Sequence, residues 1–562
     1  MMNYKKITFI FLIFLINFSF AQKVSKVDIL NLNKNFIKVS GHSDLLNQEP
    51  KIYKIYTDDT KYLLFYIINY SDAFIVISAD KSYSPVKAFS FNHPLRIKSN
   101  DSEIHMIDIL QSDYKFFKSY LRENPEIGFE NQKKWNTLLS GSPVKNVNDA
   151  VYGPFLSSLY GQVNCHDNNG HLVNVTNYYT PNHYAVGCVA MVFSEVMRYY
   201  NWPRKGVGNF SYTDSYGSSQ GTYSADFSEE FYNWGSILDE YDGEASTEQQ
   251  RSELGKLAFH AAVSVRMDFE NGGSTSNINK IPYSAWKFFR YVSEYKEKTA
   301  FDFWQTLDTS LRHNIPAQFA IYTSGGAGHA VVGDGIKYIG NEKYYHLNMG
   351  WWGDDNSWYQ IHQSFNAGGY SNITAAVLNM IPIPEMNDSP DLDEESRTVN
   401  LEWYYTYKIP VQNYELQFKK GPDDWVTVAD TITTKTYIFQ TDSKNDYSFR
   451  IRAQVNGEWK NNGWSNEIKI AQADFKEKEV FEGDEELTLY PTAASEELRV
   501  SYKKLSGSTV RIYNLRGSLV FQSDEDILIN EYKINVSSFQ TGFYILQISN
   551  DSERIATSFL KL

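Results

Sequence analysis

The chain has 562 residues and a formal net charge of −14, with a pI near 5.4. This length is too great for one hydrophobic core, so we expect several domains. The acidic balance disfavours nucleic-acid binding, because no basic stripe is available to neutralise phosphates.

The first residues have the pattern of a secretory signal peptide. Two lysines precede an almost wholly apolar run, residues 7–20, and the small residue Ala21 follows. A membrane anchor is the alternative, but the run is short for a span. We therefore predict residues 1–21 as a cleaved signal. We expect no stable membrane span elsewhere, and a product that is secreted or held at the cell surface.

Residues 22–147 are predicted to form an α+β unit ahead of the main domain. KVSKVDILNLNKNFIKV and MIDILQSDYKFFKSYL have helical patterns, and KYLLFYIINYSDAFIVISAD has the pattern of two strands. The polar stretch ENQKKWNTLLSGSPVKNVNDA that follows is predicted to be a linker open to proteolysis.

Residues 148–382 form the largest predicted domain, which mixes helices with strands such as PAQFAIYTS, HAVVGDGIKYI and KYYHLNMGW. The Pro-rich, acidic residues 383–398 are predicted to be a linker. Residues 399–472 and 486–562 show short alternating strands, which are typical of small β-sandwich domains. The predicted fold class is therefore α+β, followed by two small all-β domains.

Cys188, one of two cysteines, opens an amphipathic helix. Apolar residues follow it at helical spacing: Val189, Val192, Phe193, Val196 and Tyr200. Unpaired N–H groups and the positive helix end favour a thiolate at the first turn. Gly187 beside it allows a substrate backbone to approach closely. A buried structural cysteine is the alternative interpretation.

A base for this thiol is present at His329, which follows a glycine-rich loop about 140 residues downstream. Asn348 can accept a hydrogen bond from the far ring nitrogen of His329 and so fix its tautomer. Gln162, upstream, can donate its side-chain amide to an oxyanion. Each has a structural alternative: a core histidine, a turn cap or a loop glutamine. The order Gln, Cys, His, Asn is that of papain-like peptidases.

These residues lie in motifs that resemble the streptopain family of cysteine peptidases, which are bacterial, papain-like in fold and made as zymogens. The motifs are YGQ, GCVAMVFSEVMRYYNWP, GHAVVGDG and HLNMGWWG. The resemblance implies Cys188 as nucleophile, His329 as general base and acid, and Gln162 as oxyanion donor. It places Asn348 beside the histidine and gives Asp334 a structural role.

The chain departs from the family where Asn-Trp-Gly-Trp-Gly is usual. It has Met349 in the position of the first Trp, and Trp352 in the position of a glycine. Both changes bear on the pocket wall. MDFENGGSTSNINKIPYSAWKFF resembles the family's glycine-rich loop along the non-primed cleft. The predicted substrate-binding residues are Gly187, Gly272, Gly273, Ser274, Gly328 and Trp351.

The flanking units carry resemblances of their own. AFIVISADKSYSPVKAFS is similar to the propeptide of the same family, which implies an intramolecular inhibitor removed by a cut between Asn131 and Val151; a permanent structural domain is the alternative. Trp403, Tyr414 and Tyr447 match the pattern of a fibronectin type III module.

The last unit resembles the type A sorting domain of type IX secretion, through LYP, VRIYNLRGSLV and GFYILQI. The usual Asn-Pro after Tyr-Pro is here Thr492-Ala493. The resemblance implies the type IX secretion machinery as a partner and export across the outer membrane.

The sequence thus predicts a secreted cysteine endopeptidase, made as a zymogen, that hydrolyses protein and peptide substrates. A surface adhesin with an inactive peptidase domain, and an acyl transferase or amidase, remain alternatives. No His-Glu-x-x-His motif, paired-cysteine cluster or phosphate loop is evident in the sequence, so we expect no metal and no cofactor. Cys165 is predicted to be a free thiol; a disulfide with Cys188, which would block the nucleophile, is the alternative.

Overall fold

The computed structural model divides into two compact units, Met1–Asp474 and Phe475–Leu562. The residues it describes are 23–56, 62–95, 121, 125–141, 150–217, 219–323, 326–339, 342–361, 370–393, 396–442, 445–471, 487–501, 508–514, 518–523, 531–549 and 554–562. The predicted signal peptide and the helix predicted at MIDILQSDYKFFKSYL lie outside the described residues, apart from the latter's last leucine, Leu121. Among the described residues, no helix is long and apolar enough to cross a bilayer.

In the described residues of the N-terminal part of the first unit, two helices pack against four antiparallel strands. Helix α1 is capped by Ser25, whose hydroxyl accepts from the Asp28 N–H at 3.0 Å. The elements are α1 (Lys26–Val39), a 3₁₀ turn (Ser43–Asn47), β1 (Lys51–Tyr56), β2 (Leu63–Asn69), β3 (Phe74–Ser78), β4 (Val86–Ser90) and α2 (Pro125–Ser140).

The middle part of the first unit mixes helices and strands, as the sequence predicts. Its strands are β5 (Val151–Tyr152), β6 (Cys165–His166), β7 (Leu172–Val173), β8 (Asn209–Asp214), β9 (Gly221–Asp226), β10 (Tyr291–Glu297), β11 (Ala317–Thr323), β12 (Gly328–Ile339), β13 (Glu342–Asn348), β14 (Ser357–Tyr359) and β15 (Tyr370–Pro382). Its helices are α3 (Cys188–Tyr200), α4 (Glu248–Ser264), α5 (Ile281–Phe289) and α6 (Phe303–Arg312), with 3₁₀ turns at Pro181–His183 and Ile278–Lys280.

One continuous sheet joins these two parts. The strand order is β1-β2-β3-β4-β14-β13-β12-β11-β15-β10, with β5 against β12. The junction is the antiparallel pair β4–β14, in which Trp358 lies opposite Phe89 and Tyr359 opposite Ala88. The sequence does not reveal this pairing, because each strand taken alone reads as an ordinary buried strand.

The linker predicted after the N-terminal unit is wrong over its first half. Residues 130–140 belong to α2, and Trp135 is fully buried, with its indole N–H donating to the Tyr83 carbonyl at 2.9 Å. Lys134 forms an ion pair with Glu342 of β13 at 3.0 Å. Of the polar residues that suggested a linker, Lys133 and Asn136 are exposed, whereas Asn131 is buried and donates to the Ser82 carbonyl at 2.8 Å. Residues 142–149 lie outside the described part.

A β-sandwich completes the first unit, with one sheet ordered β16-β18-β17 plus β21 and another ordered β20-β19-β22-β23 plus β24. Trp403, which is buried, meets Tyr414 edge to face at 5.5 Å, and the Tyr447 hydroxyl accepts from the Asp442 N–H. The strands are β16 (Glu385–Met386), β17 (Asp391–Asp393), β18 (Thr398–Tyr404), β19 (Asn413–Lys420), β20 (Val426–Ile432), β21 (Thr436–Gln440), β22 (Tyr447–Val455), β23 (Glu458–Trp459) and β24 (Ile468–Ile470).

The linker predicted at residues 383–398 is also wrong, because β16 and β17 both pair with β18 of the sandwich. The sandwich also bonds to the helix that begins at Cys188. The Thr406 hydroxyl donates to the carbonyl of Tyr200, the last residue of α3, at 2.7 Å. This buried bond ties the sandwich to the middle part of the unit.

The second unit is a small all-β structure, as predicted. Its sheets are ordered β25-β27-β30 and β26-β32-β31-β28-β29. The strands are β25 (Thr488–Tyr490), β26 (Ala493–Ala494), β27 (Glu497–Ser501), β28 (Thr509–Asn514), β29 (Leu519–Gln522), β30 (Glu531–Asn535), β31 (Gly542–Ser549) and β32 (Arg554–Lys561).

Candidate active site

Helix α3 begins at Cys188, with Gly187 as its N-cap residue. The backbone N–H groups of Cys188 and Val189 face the sulfur, as does the N–H of Ala330 from strand β12. These three donors favour a negatively charged sulfur. The structure therefore brings the start of α3 and the strand that carries His329 together at the Cys188 thiol.

Burial opposes these donors. Cys188 is part exposed as a residue, but its sulfur is surrounded by protein, and this desolvation raises the pKa of the thiol despite the three N–H groups. The sequence predicted a thiolate at the helix end. The three N–H groups favour that thiolate, but burial has the larger effect and favours the neutral thiol in the chain that still carries its N-terminal part. The thiol described here is a neutral group in a site that is arranged for an anion.

His329 lies on β12 and is 7% exposed. Its Nε2 lies 2.8 Å from the carbonyl oxygen of Met349. Because a carbonyl only accepts, Nε2 carries the proton and the lone pair of the neutral ring is on Nδ1. Burial lowers the pKa of His329 to about 4. The ring is therefore neutral near pH 7 and can take a proton.

Asn348 does not hold the histidine as predicted. Its side-chain Nδ2 donates to the Ser158 carbonyl at 2.8 Å, and its Oδ1 accepts from the Gly350 N–H at 3.1 Å. The residue that orients His329 is its neighbour Met349, through the backbone. Sequence reasoning missed this contact because a backbone carbonyl has no side-chain signature.

The departures from the family motif fit this arrangement. The Met349 side chain is fully buried, while its carbonyl, which any residue supplies, bonds to His329. The Trp351 ring stacks on the His329 ring with centroids 4.9 Å apart, as expected for a group that shields the histidine from water. Trp352 has a φ of 55°, in the left-handed region that suits the glycine usual at this position.

Gln162 is placed close to the start of α3 through its backbone. Its carbonyl oxygen accepts from the N–H of Val186, two residues before Cys188, at 2.9 Å. Gly161, before it, forms a β-bridge with Trp351. The loop with Gln162 thus lies between the α3 entry and the segment beside His329, where an oxyanion donor belongs.

The predicted substrate loop also reaches the residues just before the nucleophile. The Ser274 hydroxyl donates to the Ala185 carbonyl at 2.5 Å, and the Ser274 carbonyl lies 3.1 Å from the position a Gly187 Cβ would take. Gly272 and Gly273 have open space around them, and Gly328, beside His329, is exposed. The Ser274 carbonyl thus faces the space beside Gly187, whereas Trp351 lies against the histidine.

Cys165 and Cys188 are both free cysteines. Cys165 is 3% exposed, and burial raises the pKa of its thiol to about 12. It is therefore a poor nucleophile. Asp334 accepts from the Leu156 N–H at 3.0 Å and lies 2.6 Å from His346 Nδ1, which are structural contacts. Among the described residues, no group of three or more His, Cys, Asp or Glu side chains is placed to hold a metal ion.

The buried neutral histidine predicts a pH-dependent stability. The unfolded ring has a pKa of 6.5 and the folded ring one of about 4, so the unfolded chain binds more protons between these values. In a Cys188→Ala background, the free energy of unfolding is expected to fall by about 3 kcal/mol as the pH drops through this window. His329→Gln removes this part of the slope in urea unfolding, and His171→Gln, which changes an exposed ring, does not. Equal slopes for the two variants contradict the assignment.

Comparison with known families agrees with this geometry. Residues 166–359, which include Cys188, His329 and Asn348, match the model of the peptidase C10 family. The chain carries a peptidase C10 domain. The streptopain-family resemblance seen in the motifs is thereby confirmed, and the peptidase C10 domain makes the protein a cysteine peptidase. Gln162 lies just before the matched residues.

The curated relatives of the peptidase C10 domain are thiol proteases. Streptopain of Streptococcus pyogenes is 26% identical over 355 residues, which cover 56% of this chain and 80% of streptopain. The thiol protease/hemagglutinin PrtT of Porphyromonas gingivalis is 23% identical over 346 residues, covering 58% of this chain and 38% of PrtT.

Two solved structures from Prevotella intermedia are also similar. A fragment of prointerpain A is 18% identical, with a TM-score of 0.41, and covers 59% of this chain and 98% of the fragment. Active interpain A is 24% identical, with a TM-score of 0.35, and covers 40% of this chain and 94% of interpain A.

Residues 488–561, in the second unit, match a secretion system C-terminal sorting domain. The predicted sorting domain is confirmed by this match. The protein is accordingly a secreted or cell-surface cysteine peptidase.

Proposed function

We propose that the protein is a cysteine endopeptidase, made as a zymogen, that hydrolyses peptide bonds of protein substrates through an acyl-enzyme on Cys188. The observation that carries this is the convergence at one sulfur of the α3 N–H groups and of strand β12, whose His329 has its proton fixed on Nε2 by the Met349 carbonyl.

In this mechanism His329 Nδ1 accepts the Cys188 proton as the sulfur attacks the scissile carbonyl carbon. The developing oxyanion is stabilised by the Cys188 N–H and the Gln162 side-chain amide. His329 then gives its proton to the leaving amine, and the acyl-enzyme forms. A water molecule, deprotonated by His329, releases the second product and restores the thiol. Met349 and Trp351 hold and shield the imidazole throughout.

Contacts from the N-terminal part support its role as an inhibitory prosegment. Strand β4 extends the sheet of the peptidase C10 domain at β14. His93 Nε2 lies 2.7 Å from the carbonyl oxygen of Asn356, whose side chain in turn accepts from the Met349 N–H at 2.7 Å. The prosegment therefore contacts a residue that bonds to Met349, and the Met349 carbonyl in turn orients His329. We propose that it maintains the neutral thiol until it is removed.

Helix α2 narrows the range in which we expect the maturation cut, first predicted between Asn131 and Val151. A protease needs extended backbone, and residues up to Ser140 are helical. We therefore place the cut after Ser140. The N-terminal signal peptide and export through the type IX machinery complete the proposed route to the cell exterior; the sorting-domain match supports this part.

The adhesin alternative was motivated by the fibronectin-like module and by the changes at Met349 and Trp352. Two of these three motives weaken, because Met349 bonds to His329 through its backbone carbonyl and Trp352 has a φ compatible with a position where glycine is usual. PrtT is named a hemagglutinin as well as a thiol protease, but this chain covers 38% of it.

The test uses residues 23–562 held at neutral pH with reductant and treated with a thiol-reactive epoxide inhibitor of peptidases. Mass spectrometry is expected to locate the adduct on Cys188 and a new N-terminus between residues 141 and 151. Absence of both the adduct and casein hydrolysis, even after the prosegment is cut away by an added protease, would contradict the proposal and favour the adhesin.

A further inference from the structure

The end of helix α3 that lies opposite Cys188 is covered by the β-sandwich. The last carbonyl groups of a helix have no partner within it. Here the carbonyl of Tyr200, the last residue of α3, accepts from the hydroxyl of the buried Thr406 of the sandwich at 2.7 Å. Asn201, which is left-handed at the C-cap, donates its side-chain amide to the Tyr407 hydroxyl at 3.4 Å. The sandwich therefore caps the helix that begins with the nucleophile.

Aromatic rings extend this contact beyond the helix. Trp202 and Tyr405 are both buried, and their ring centroids lie 6.1 Å apart. The Arg204 guanidinium group lies over the ring of Tyr404, the last residue of β18, at 3.6 Å from its centroid. A cation over an aromatic face is attracted to it. The segment that leaves α3 thus packs on the sandwich through two side chains.

A polar cluster forms a second point of attachment, at the end of α5. Arg290 follows α5, and its guanidinium group donates to the Asn466 side-chain oxygen at 3.4 Å and lies 3.9 Å from the Glu385 carboxylate. The same Asn466 donates to the Met386 carbonyl at 3.0 Å and accepts from the Met386 N–H at 2.9 Å. Asn466 thus bonds to β16 of the sandwich and to Arg290 of the middle part at once.

The chain that joins the two parts lies inside this interface. Ile383 and Met386 are buried, and the Ile383 N–H donates to the Arg290 carbonyl at 2.7 Å. Detachment of the sandwich would expose the apolar side chains of Trp202 and Met386 to water and break the bonds to Tyr200 and Arg290. Both effects oppose detachment.

We propose that the β-sandwich is a permanent part of the mature peptidase and that the surface it binds is the C-terminal end of the enzyme's own nucleophile helix. The sandwich is then neither a spacer nor a detachable binding module. The catalytic unit extends from the predicted domain at residues 148–382 to residue 471. This inference rests on the proposed function in one respect, because it takes Cys188, the first residue of α3, as the nucleophile.

The first test follows the active polypeptide. Residues 23–562, freed of the prosegment and labelled at Cys188 with the epoxide inhibitor, are separated by gel filtration under native conditions and weighed by mass spectrometry. Residues 399–471 are expected in the labelled fraction, either in the labelled polypeptide itself or, after a cut at the exposed Asp388 or Ser389, in a fragment that elutes with it. An active, labelled fragment that elutes without residues 399–471 overturns the proposal.

Threonine variants test the contact at Tyr200, in a parent chain of residues 23–562 that carries Cys188→Ala. Thr406→Val removes the hydroxyl and keeps the branched shape of the side chain. Hydrogen exchange of the backbone amides at residues 197–202 is expected to become about tenfold faster, because loss of one buried hydrogen bond raises the local open population by about this factor. Thr406→Ser, which keeps the donor, is expected to exchange at the rate of the parent chain.

Thr441→Val is the matched control. Thr441 is also buried, and its hydroxyl also donates to a backbone carbonyl, that of Arg397, at 2.7 Å, but this bond lies within the sandwich. Exchange at residues 197–202 should therefore be unchanged in Thr441→Val. Equal exchange there in the two valine variants overturns the proposal. An increase of the same size throughout residues 150–471 in Thr406→Val also overturns it, because the bond would then serve only global stability.

The outcomes for the two proposals are distinct. A chain with Cys188 intact that takes no label after prosegment removal contradicts the proposed function. The exchange experiment needs no activity, so it then decides the role of the sandwich alone.

Discussion

Replacing Cys188 with alanine is expected to lower kcat for peptide hydrolysis by roughly 10⁵-fold or more, because losses of this size follow removal of the nucleophile from a covalent mechanism. The N–H groups of Cys188, Val189 and Ala330 converge on the sulfur that the variant lacks. Remaining binding and oxyanion contacts cannot replace the missing acyl-enzyme. Steady-state kinetics on a fluorogenic peptide after prosegment removal measure the loss.

The matched control is Cys165→Ala. This thiol is buried and its pKa is raised to about 12, so it contributes no thiolate near pH 7. The Cys165→Ala variant should keep wild-type kcat and still react with the epoxide at Cys188.

The Cys188→Ala chain should remain uncut at the proposed maturation site when it is incubated alone. Hydrolysis by Cys188→Ala at the wild-type rate would contradict the assigned nucleophile.

The sequence was sufficient to locate the elements of the site because side-chain chemistry is visible in it. The apolar spacing after Cys188 predicts helix α3, and the structure begins that helix at Cys188. The strand predicted at HAVVGDGIKYI is β12 and carries His329. Helical and strand periods report burial of one face, which is a local property.

Contacts made by backbone groups or by tertiary packing were not predictable in this way. Asn348 was chosen as the partner of His329 because its side chain is a suitable acceptor, yet the acceptor is the Met349 carbonyl. The stretch around Trp135 was polar enough to suggest a linker, yet its single tryptophan is buried and turns it into a docked helix. In each case the deciding partner is distant in sequence.

The sequence also contains a signal at Glu195 that did not enter the prediction of the site. An acidic residue among Val192, Phe193 and Val196 interrupts the apolar face of an amphipathic helix. Such an interruption indicates either a buried polar contact or a site. The fold shows that Glu195 is fully buried, which the sequence alone does not establish.

Replacing Gly187 with alanine is expected to lower kcat/KM by about 10²-fold, since it shifts the residue that sets the position of the nucleophile. Gly187 has φ 87° and ψ 141°, a combination almost restricted to glycine. A Cβ there would lie 2.5 Å from the Met267 sulfur and 3.1 Å from the Ser274 carbonyl oxygen. The backbone must move, and with it the Cys188 N–H and thiol.

Gly170→Ala separates this effect from backbone strain. Gly170 also has a positive φ, 78°, but no atom lies within 4 Å of its Cβ position. Both variants should lose stability, of order 1–3 kcal/mol in unfolding free energy, while only Gly187→Ala loses activity and epoxide labelling of Cys188. Equal kinetics in the two variants would mean that the glycine before Cys188 serves the fold rather than the placement of the thiol. A selective loss would show that the cleft depends on a glycine at the α3 N-cap, where Met267 and Ser274 leave no room for a side chain.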